Sequence, residues 1–510
     1  MFKRVTPESV GVSSKNVYKL IKRINRLHMH SFIMAKGDKI FYEGYWKPFD
    51  REFKHRMYSV TKSFVSVAVG LCAEDGLIDI DKPIVEYFPD KVKIDLTDYM
   101  KQQTVKDMLK MTTTGFYHSW FEEGAYDRTE FYLNDPKKKR PSNTLWEYDS
   151  TGSQVLCALV ERVTKKRFFD FLNERIFKKL GAFEGATVLS TPNGDSWGDS
   201  ALICTSRDLL TFARFVLNYG VWKGERLINE SYLRVATSRI SDNTLSAHRS
   251  SIENGYGYQI WKGPMDSFAF VGMGDQLALC VPSKDLIFVC TADNQGSNVS
   301  TELIINGFFE YVVEEISDTP LDVDKEYADK LKELTDSLEL YYETGFSDTP
   351  TREKINGITY KCEENRMGIK SFRFDFKNAD EGTLTYENKN GTMVLPFLVN
   401  GNYFGKFPEL GYSNEYGGAR THDGFKYDCA TSFGWTQENR ISLFSQIIDR
   451  YFGNVTFSFI FKDNLAFLHC EKIAEDFLWE YQGDTIGYRV HVLPSDVLRN
   501  DVLRNDVASQ

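Results

Sequence analysis

Ser59 and Lys62 lie three positions apart at the start of an apolar helical pattern, in the run Met57-Tyr-Ser-Val-Thr-Lys-Ser-Phe-Val-Ser. Side chains at this spacing share one face of a helix, so the lysine amine can reach the serine hydroxyl. An amine that burial or a neighbouring charge keeps neutral can take the serine proton during nucleophilic attack. The backbone N–H groups at the same helix start could stabilise an oxyanion. The pair therefore predicts a nucleophilic serine with a lysine as its base.

A serine and a lysine at this spacing also arise by chance about once or twice in a chain of this composition. Here the pair occurs once in 510 residues. It follows a predicted β-hairpin over 31–46, in which Gly37-Asp38 separates two strand-like stretches. This position, where a strand pair gives way to a helix, favours the catalytic interpretation.

The elements that must position this pair follow one another in blocks. Helical patterns dominate between about 57 and 235, strand patterns return in three stretches between 267 and 291, and a further helix is predicted from about 300 to 315. We expect an α/β (α+β) domain with one mostly antiparallel sheet, helices on its faces and an inserted helical subdomain. Such a fold leaves a cleft between the sheet and the subdomain.

Four segments are predicted along the chain. Residues 1–320 form the domain just described, and 321–350, a charged helix flanked by Pro and Gly, form a helical connector. Residues 351–492 contain short alternating stretches split by Gly, Asn and Asp turns, which predicts a C-terminal all-β domain, either a barrel or a sandwich. Residues 493–510 repeat a five-residue unit at the terminus and are expected to be a flexible tail.

The composition excludes several classes of function. The formal net charge is −10, whereas proteins that bind nucleic acid or anionic membranes need basic surfaces. The eight cysteines and eight histidines are scattered without ligand-like spacing, so no metal or cofactor is expected. The first residues lack the apolar run of a signal peptide, which indicates a cytoplasmic protein. We expect a small-molecule or short-peptide substrate, no nucleic-acid partner and no membrane partner, and the oligomeric state stays open.

Several longer runs occur in a fixed order across residues 1–320. They are Pro7-Glu-Ser-Val-Gly, Gly76-Leu-Ile-Asp-Ile-Asp-Lys-Pro, Leu109-Lys-Met-Thr-Thr-Thr-Gly, Ala201-Leu-Ile-Cys-Thr-Ser-Arg-Asp-Leu and Leu217-Asn-Tyr-Gly-Val-Trp-Lys-Gly-Glu-Arg-Leu-Ile. Together with the Ser59 motif they resemble the serine β-lactamase and penicillin-binding-protein superfamily. The resemblance is strongest to its class C β-lactamase-like, esterase and 6-aminohexanoate-dimer-hydrolase-like members. It implies a β-lactamase-like fold for this part of the chain.

The resemblance also implies roles in two further motifs. Tyr148, in the run Trp-Glu-Tyr-Asp-Ser, takes the proton-transfer role of the family's tyrosine, and Ser150 stands where asparagine is usual. The family's third element, commonly Lys-Thr-Gly or His-x-Gly, is replaced by Phe-Val-Gly-Met-Gly-Asp-Gln over 270–276. The resemblance implies that the N–H groups of Met273 and Ser59 together form the oxyanion hole. The implied oxyanion and substrate-binding residues are Gly272, Met273, Gly274, Ser150 and Gln276.

Simpler interpretations of these residues stay open. Tyr148 is also explained as one packed aromatic side chain, and Gly272 with Gly274 as a plain turn between two strands. The basic run 135–141 is either a lip that guides acidic substrates or a solvated loop, and His118 and Trp120 could line the pocket.

The predicted function is a serine hydrolase that cleaves an ester or amide bond through an acyl-enzyme on Ser59. The third element lacks the cation that helps the family bind a substrate carboxylate, which points away from β-lactams. Whether Lys62 or Tyr148 is the main base depends on pKa values that sequence does not give. The alternative is a non-hydrolytic binding or sensor protein that retains the fold.

Overall fold

The computed structural model describes residues 2–115, 127–136, 140–245, 251–252, 254–297, 299–411, 425–449, 452–474 and 481–490. These form two compact units that divide between Tyr341 and Tyr342. The interpretations of His118, Trp120 and the tail 493–510, and part of the basic run 135–141, lie outside the described residues. The four predicted segment boundaries stay predictions.

The frame of the first unit is a sheet with seven strands in its described part, in the order β1-β3-β2-β12-β11-β10-β9. Its neighbours pair antiparallel, except that β1 pairs parallel with β3. Strands β4 to β6 form a small second sheet, and β7 pairs with β8. In chain order the strands are β1 Lys3–Arg4, β2 Met29–Lys36, β3 Lys39–Tyr45, β4 His55–Arg56, β5 Thr187–Val188, β6 Leu202–Cys204, β7 Val221–Trp222, β8 Glu225–Arg226, β9 Trp261–Lys262, β10 Phe268–Gly272, β11 Gln276–Val281 and β12 Leu286–Ala292.

Helices cover both faces of this sheet. Strands β11 and β12 are buried along their whole length, because successive side chains enter cores on opposite faces. The helices are α1 Ser14–Ile24, α2 Thr61–Glu74, α3 Asp98–Gln102, α4 Val105–Leu109, α5 Arg128–Leu133, α6 Ser150–Thr164, α7 Phe168–Leu172, α8 Lys178–Leu180, α9 Ser206–Leu217, α10 Glu230–Ala236, α11 Ser300–Phe308 and α12 Lys325–Asp336. Short 3-10 helices span Glu8–Val10, Tyr58–Val60, Ile84–Tyr87, Pro89–Lys91 and Pro282–Lys284, and π-helical turns span Asn173–Phe177 and Phe309–Val313.

The predicted mixed fold of the first unit is confirmed. Helices α2, α6 and α9 contribute to the core on one face of the sheet, and α1 and α11 to the core on the other face. Helix α12, which lies in the predicted connector, packs against α1. In the part of the chain that the structure describes, no helix has both the length and the apolar character needed to cross a membrane.

In its described residues, the second unit is a closed barrel of nine strands with one further strand at its side. The strand order is β16-β15-β14-β13-β22-β21-β20-β19-β18-β17, and a parallel pairing of β16 with β18 closes the ring. The elements are α13 Pro350–Ile355, β13 Thr359–Cys362, β14 Ser371–Phe376, β15 Glu381–Asn388, β16 Gly391–Val399, β17 Tyr403–Lys406, β18 Asp428–Gln437, β19 Arg440–Ile447, β20 Gly453–Lys462, β21 Leu465–Ala474 and β22 Gly483–Arg489. The all-β prediction is confirmed, with the barrel as the architecture that forms.

Aromatic rings fill part of the barrel interior. Phe374, Phe397, Phe433 and Phe459 are all buried. Phe397 stacks on Phe433 with ring centroids 4.5 Å apart, and Phe374 meets Phe459 edge-on at 4.9 Å. Such contacts explain the period-two pattern of this part of the sequence, because alternate residues of each strand enter the core.

Candidate active site

Ser59 lies in the 3-10 helix Tyr58–Val60, which runs directly into α2. The adjacent strand β6 holds both sides of this turn through Leu202. The Met57 N–H donates to Leu202 O at 2.8 Å, and the Leu202 N–H donates to the Thr61 hydroxyl at 3.1 Å. Tyr58 has φ 46°, a left-handed conformation that is strained for a residue with a side chain. The serine is therefore placed by its backbone, and it is half-buried.

Lys62 lies one helical turn after Ser59, and the fold buries its side chain to 1% exposure. Its Nζ donates to Ser59 Oγ at 2.8 Å and to Asp199 O at 2.7 Å. The structure thus brings together the two residues that the sequence paired. A hydroxyl and an amine in direct hydrogen-bond contact are arranged for proton transfer.

Asp199 is a site residue that the sequence reasoning missed. Besides its carbonyl contact, its carboxylate Oδ2 lies 3.9 Å from Lys62 Nζ, and its side chain is 4% exposed. Burial raises the pKa of the Asp199 carboxyl. The charges of Lys62 and of the buried Arg128 and Arg56 act in the opposite direction. No local signal marks Asp199, because it stands 137 residues from Lys62 in the chain.

Arg56 connects the loop of Asp199 to the turn of Ser59. Its Nε donates to Ser200 O at 3.0 Å, and its second guanidinium nitrogen donates to the Ser200 hydroxyl at 3.1 Å. The guanidinium also lies over the rings of Tyr58 and Trp197, 4.3 Å and 4.5 Å from their centroids. A planar cation between two aromatic rings fixes both, so Arg56 holds the loop in place.

Tyr148 lies beside the lysine, at the surface. Its ring is 5.1 Å from Lys62 Nζ, and the side chain is 37% exposed. The ring stacks on Trp261 of β9 at 5.6 Å. Ser150, two residues later, is half-buried at the first position of α6. The start of α6 thus brings the second motif beside Lys62.

Asp149 fixes the start of α6 and so the position of Tyr148. Its Oδ1 accepts from Gly152 N at 2.8 Å, as an N-cap residue does. Its Oδ2 accepts from the hydroxyls of Thr113 at 2.9 Å and Tyr132 at 3.0 Å. Because these three hydrogen bonds hold the start of α6, Tyr148 directly before it has little conformational freedom.

Gly272 ends β10 against the turn of Ser59. A Cβ atom at this position would lie 2.3 Å from Met57 O and 3.3 Å from Ser59 N, so only glycine allows this approach. Gly272 pairs with Gln276, which leaves Met273 to Asp275 as the connecting turn. Gly274 has φ 76°, which the turn requires. A plain turn therefore explains Gly274, but Gly272 is needed for the contact with the serine segment.

Gln276 lies beneath this turn. The sequence grouped it with the oxyanion and substrate-binding residues, yet its side chain is fully buried. Its Nε2 donates to Met273 O at 3.1 Å and to Ala292 O at 2.5 Å, and its Oε1 accepts from Ala292 N at 3.3 Å. Backbone groups therefore occupy both ends of the amide. Met273, in contrast, is 42% exposed.

Comparisons with known proteins agree with this geometry. Residues 22–304, more than half of the chain, match the family model described as Beta-lactamase. The chain belongs to the beta-lactamase family, and the resemblance found in its motifs is confirmed.

The relatives include a hydrolase. The chain is 25% identical to the 6-aminohexanoate-dimer hydrolase of Paenarthrobacter ureafaciens over 232 residues, which are 42% of this chain and 58% of that protein. It therefore spans less than two thirds of that relative. An uncharacterized protein of Alkalihalophilus pseudofirmus is 21% identical over 305 residues, 52% of this chain and 84% of that protein. A solved structure from Bacillus anthracis, provisionally described as a 6-aminohexanoate-dimer hydrolase, shares the fold with TM-score 0.50 and 16% identity, and the match covers 62% of this chain and 88% of that one.

Proposed function

We propose that the protein is a serine hydrolase that cleaves an ester or amide bond of a small molecule or short peptide. The observation that carries the proposal is the 2.8 Å contact between Lys62 Nζ and Ser59 Oγ, on a turn against which Gly272 is packed. Membership of a family that contains hydrolases supports it.

The reaction begins when Ser59 Oγ attacks the substrate carbonyl carbon. Its proton passes to Lys62, and the N–H groups of Ser59 and Met273 stabilise the oxyanion. The bond to the leaving group then breaks, and Tyr148 relays the proton from Lys62 to the departing oxygen or nitrogen. In the second half water attacks the acyl-enzyme, the ester bond to Ser59 Oγ breaks, the acid is released, and a proton of the water passes to Ser59 Oγ. Asp199 holds Lys62 in place throughout.

The substrate class follows from the third element. In this chain Phe270 and Val271 precede Gly272, so the cation that commonly binds a substrate carboxylate is missing from the motif. Esters and amides that do not need this contact are therefore better substrates than β-lactams. The Paenarthrobacter ureafaciens relative, by its name a hydrolase of a 6-aminohexanoate dimer, supports this preference.

The proposal is tested with Ser59→Ala. We expect this variant to lose p-nitrophenyl ester turnover and labelling by a fluorophosphonate, because both reactions need the Ser59 hydroxyl. The matched control is Ser63→Ala, one helical turn later. The Ser63 hydroxyl is buried and donates to Gln259 O at 2.8 Å, and its loss should leave the labelling intact. Unchanged turnover and labelling in Ser59→Ala would rule out the mechanism. If the unaltered protein shows neither, the non-hydrolytic binder is favoured.

A further inference from the structure

We infer that Gln276 and Asp275 are positioning residues that fix the Met273 N–H from beneath the β10–β11 turn. The inference deepens the proposed function and rests on it, because the Met273 N–H is the proposed second donor to the oxyanion. Neither side chain touches the reacting atoms.

The Met273 N–H belongs to the peptide plane between Gly272 and Met273. One end of this plane is fixed because Gly272 lies against Met57 O and pairs with Gln276. The other end is Met273 Cα, which can move unless the next peptide plane is held through the Met273 carbonyl. Gln276 Nε2 holds it at 3.1 Å, and the same amide bonds the carbonyl and N–H of Ala292 on β12. A buried side chain thus ties the tip of the turn to the neighbouring strand.

Asp275 anchors the other side of the turn. It has φ 67°, and its side chain is buried. Its carboxylate accepts from Asn294 Nδ2 at 2.9 Å and from the hydroxyl of Thr301 in the first turn of α11. Asn294 in turn accepts from His28 N at 2.9 Å through its Oδ1. Burying a carboxylate is costly unless donors satisfy it, so this arrangement holds the Asp275 side chain in one place.

These two contacts matter for catalysis because an oxyanion donor acts only from the correct position. Loss of one such donor lowers kcat by about a hundredfold to a thousandfold, and a displacement of about 1 Å is itself costly. The contacts of Gln276 and Asp275, together with the hydrogen bond from Asn294 N to Gly274 O at 3.2 Å, restrict such a displacement of the three-residue turn. The buried braces therefore supply the rigidity that the Met273 N–H needs.

The test uses Gln276→Met in the full chain, which keeps the length of the side chain and removes its hydrogen bonds. We expect kcat for a p-nitrophenyl ester to fall about tenfold to a hundredfold with KM little changed, because the lost contact acts in the transition state. Affinity for a boronic acid, which mimics the tetrahedral intermediate, should fall by the same factor. The control is Gln446→Met, which removes another buried glutamine, on β19 of the second unit, and should leave kcat unchanged.

A second variant keeps the test decisive if Gln276→Met folds poorly. Gln276→Glu should lose activity at neutral pH, because a carboxylate faces two carbonyl oxygens. Its activity relative to the unaltered protein should recover as the pH falls, since the protonated acid can donate one of the lost hydrogen bonds. Full kcat in Gln276→Met, or a pH-independent ratio in Gln276→Glu, would overturn the inference while Ser59→Ala still tests the hydrolase separately. Turnover that survives Ser59→Ala would overturn both.

Discussion

At the scale of single residues, Lys62 contacts both the backbone carbonyl and the side-chain carboxylate of Asp199. Ser59 Oγ and Asp199 O accept hydrogen bonds from its amine, whereas the buried Asp199 carboxylate lies 3.9 Å from the same amine. Replacement of the Asp199 carboxylate by an amide separates the effect of the side chain from that of the backbone, because the Asp199 carbonyl is unchanged.

We therefore predict the outcome of Asp199→Asn. Burial raises the pKa of the Asp199 carboxyl, and an amide does not titrate, so any contribution of this carboxyl to the acidic limb of the pH profile of kcat/KM should be absent in the variant. The measurement is kcat/KM for a neutral ester between about pH 5 and 9, compared with Asp329→Asn on the exposed side of α12 as control. An unshifted limb would mean that Asp199 acts only through its backbone.

At the scale of elements, the site depends on the approach of β10 to the turn before α2. The strand and the turn meet at Gly272, where the space for a side chain is already occupied by Met57 O. Any larger residue must push the strand away from Ser59, and β10 is itself held in the sheet because each of its residues pairs with β11.

Gly272→Ala should therefore impair both activity and stability. We expect kcat/KM to fall by about a hundredfold, because the strand moves relative to the nucleophile. The free energy of unfolding should decrease by about 1–3 kcal/mol, as for other overpacked sites. Gly401→Ala is the control, since a Cβ there has Leu398 Cβ at 3.9 Å as its nearest neighbour. Esterase kinetics and urea unfolding check both effects, and unimpaired kinetics would refute the close contact.

The pairing of β10 with β11 also bears on Gln276, which the sequence analysis grouped with the oxyanion and substrate-binding residues and which is buried in the structure. Directly paired residues of two antiparallel strands point to the same face of the sheet, so Gln276 shares the face of its partner Gly272. Its buried amide bonds the Met273 and Ala292 carbonyls there and supports Met273 from beneath.

At the scale of the whole molecule, buried histidines link the stability of the first unit to pH. Burial lowers the pKa of His55 to about 3 and that of His30 well below its usual value. In the unfolded chain both histidines have a pKa of about 6.5. Between these pH values the unfolded chain binds more protons than the folded chain. The contribution of the neutral histidines to the free energy of unfolding is therefore fully present above about pH 6.5 and is lost as the pH falls.

We predict that the free energy of unfolding falls below about pH 6.5 by up to about 1.4 kcal/mol per pH unit for each such histidine. Urea unfolding at about pH 7 and pH 5 measures the slope. His55→Gln should reduce the slope, whereas His469→Gln on the exposed face of β21 should not, because His469 lies in the second unit. An equal slope in all three proteins would exclude this cause.

Much of the fold and part of the site were predictable because their determinants are local. The pairing of Ser59 with Lys62 follows from helical spacing, and the hairpin of β2 and β3 from two strand patterns around Gly37. The period-two runs after residue 350 predicted the β domain. Its closure depends instead on the pairing of Leu398 and Val399 with Ser432 and Phe433, strands that are distant in the chain.

The sequence by itself determined the contact between Ser59 and Lys62, because a spacing of three residues in a helical segment suffices to bring the two side chains together. Only the tertiary structure decided that Asp199 lies against Lys62, that Gly272 meets Met57 O, and that Gln276 turns inward. These contacts join elements far apart in the chain, and their partners are selected by packing and strand register. Such contacts cannot be predicted from a local pattern of residues.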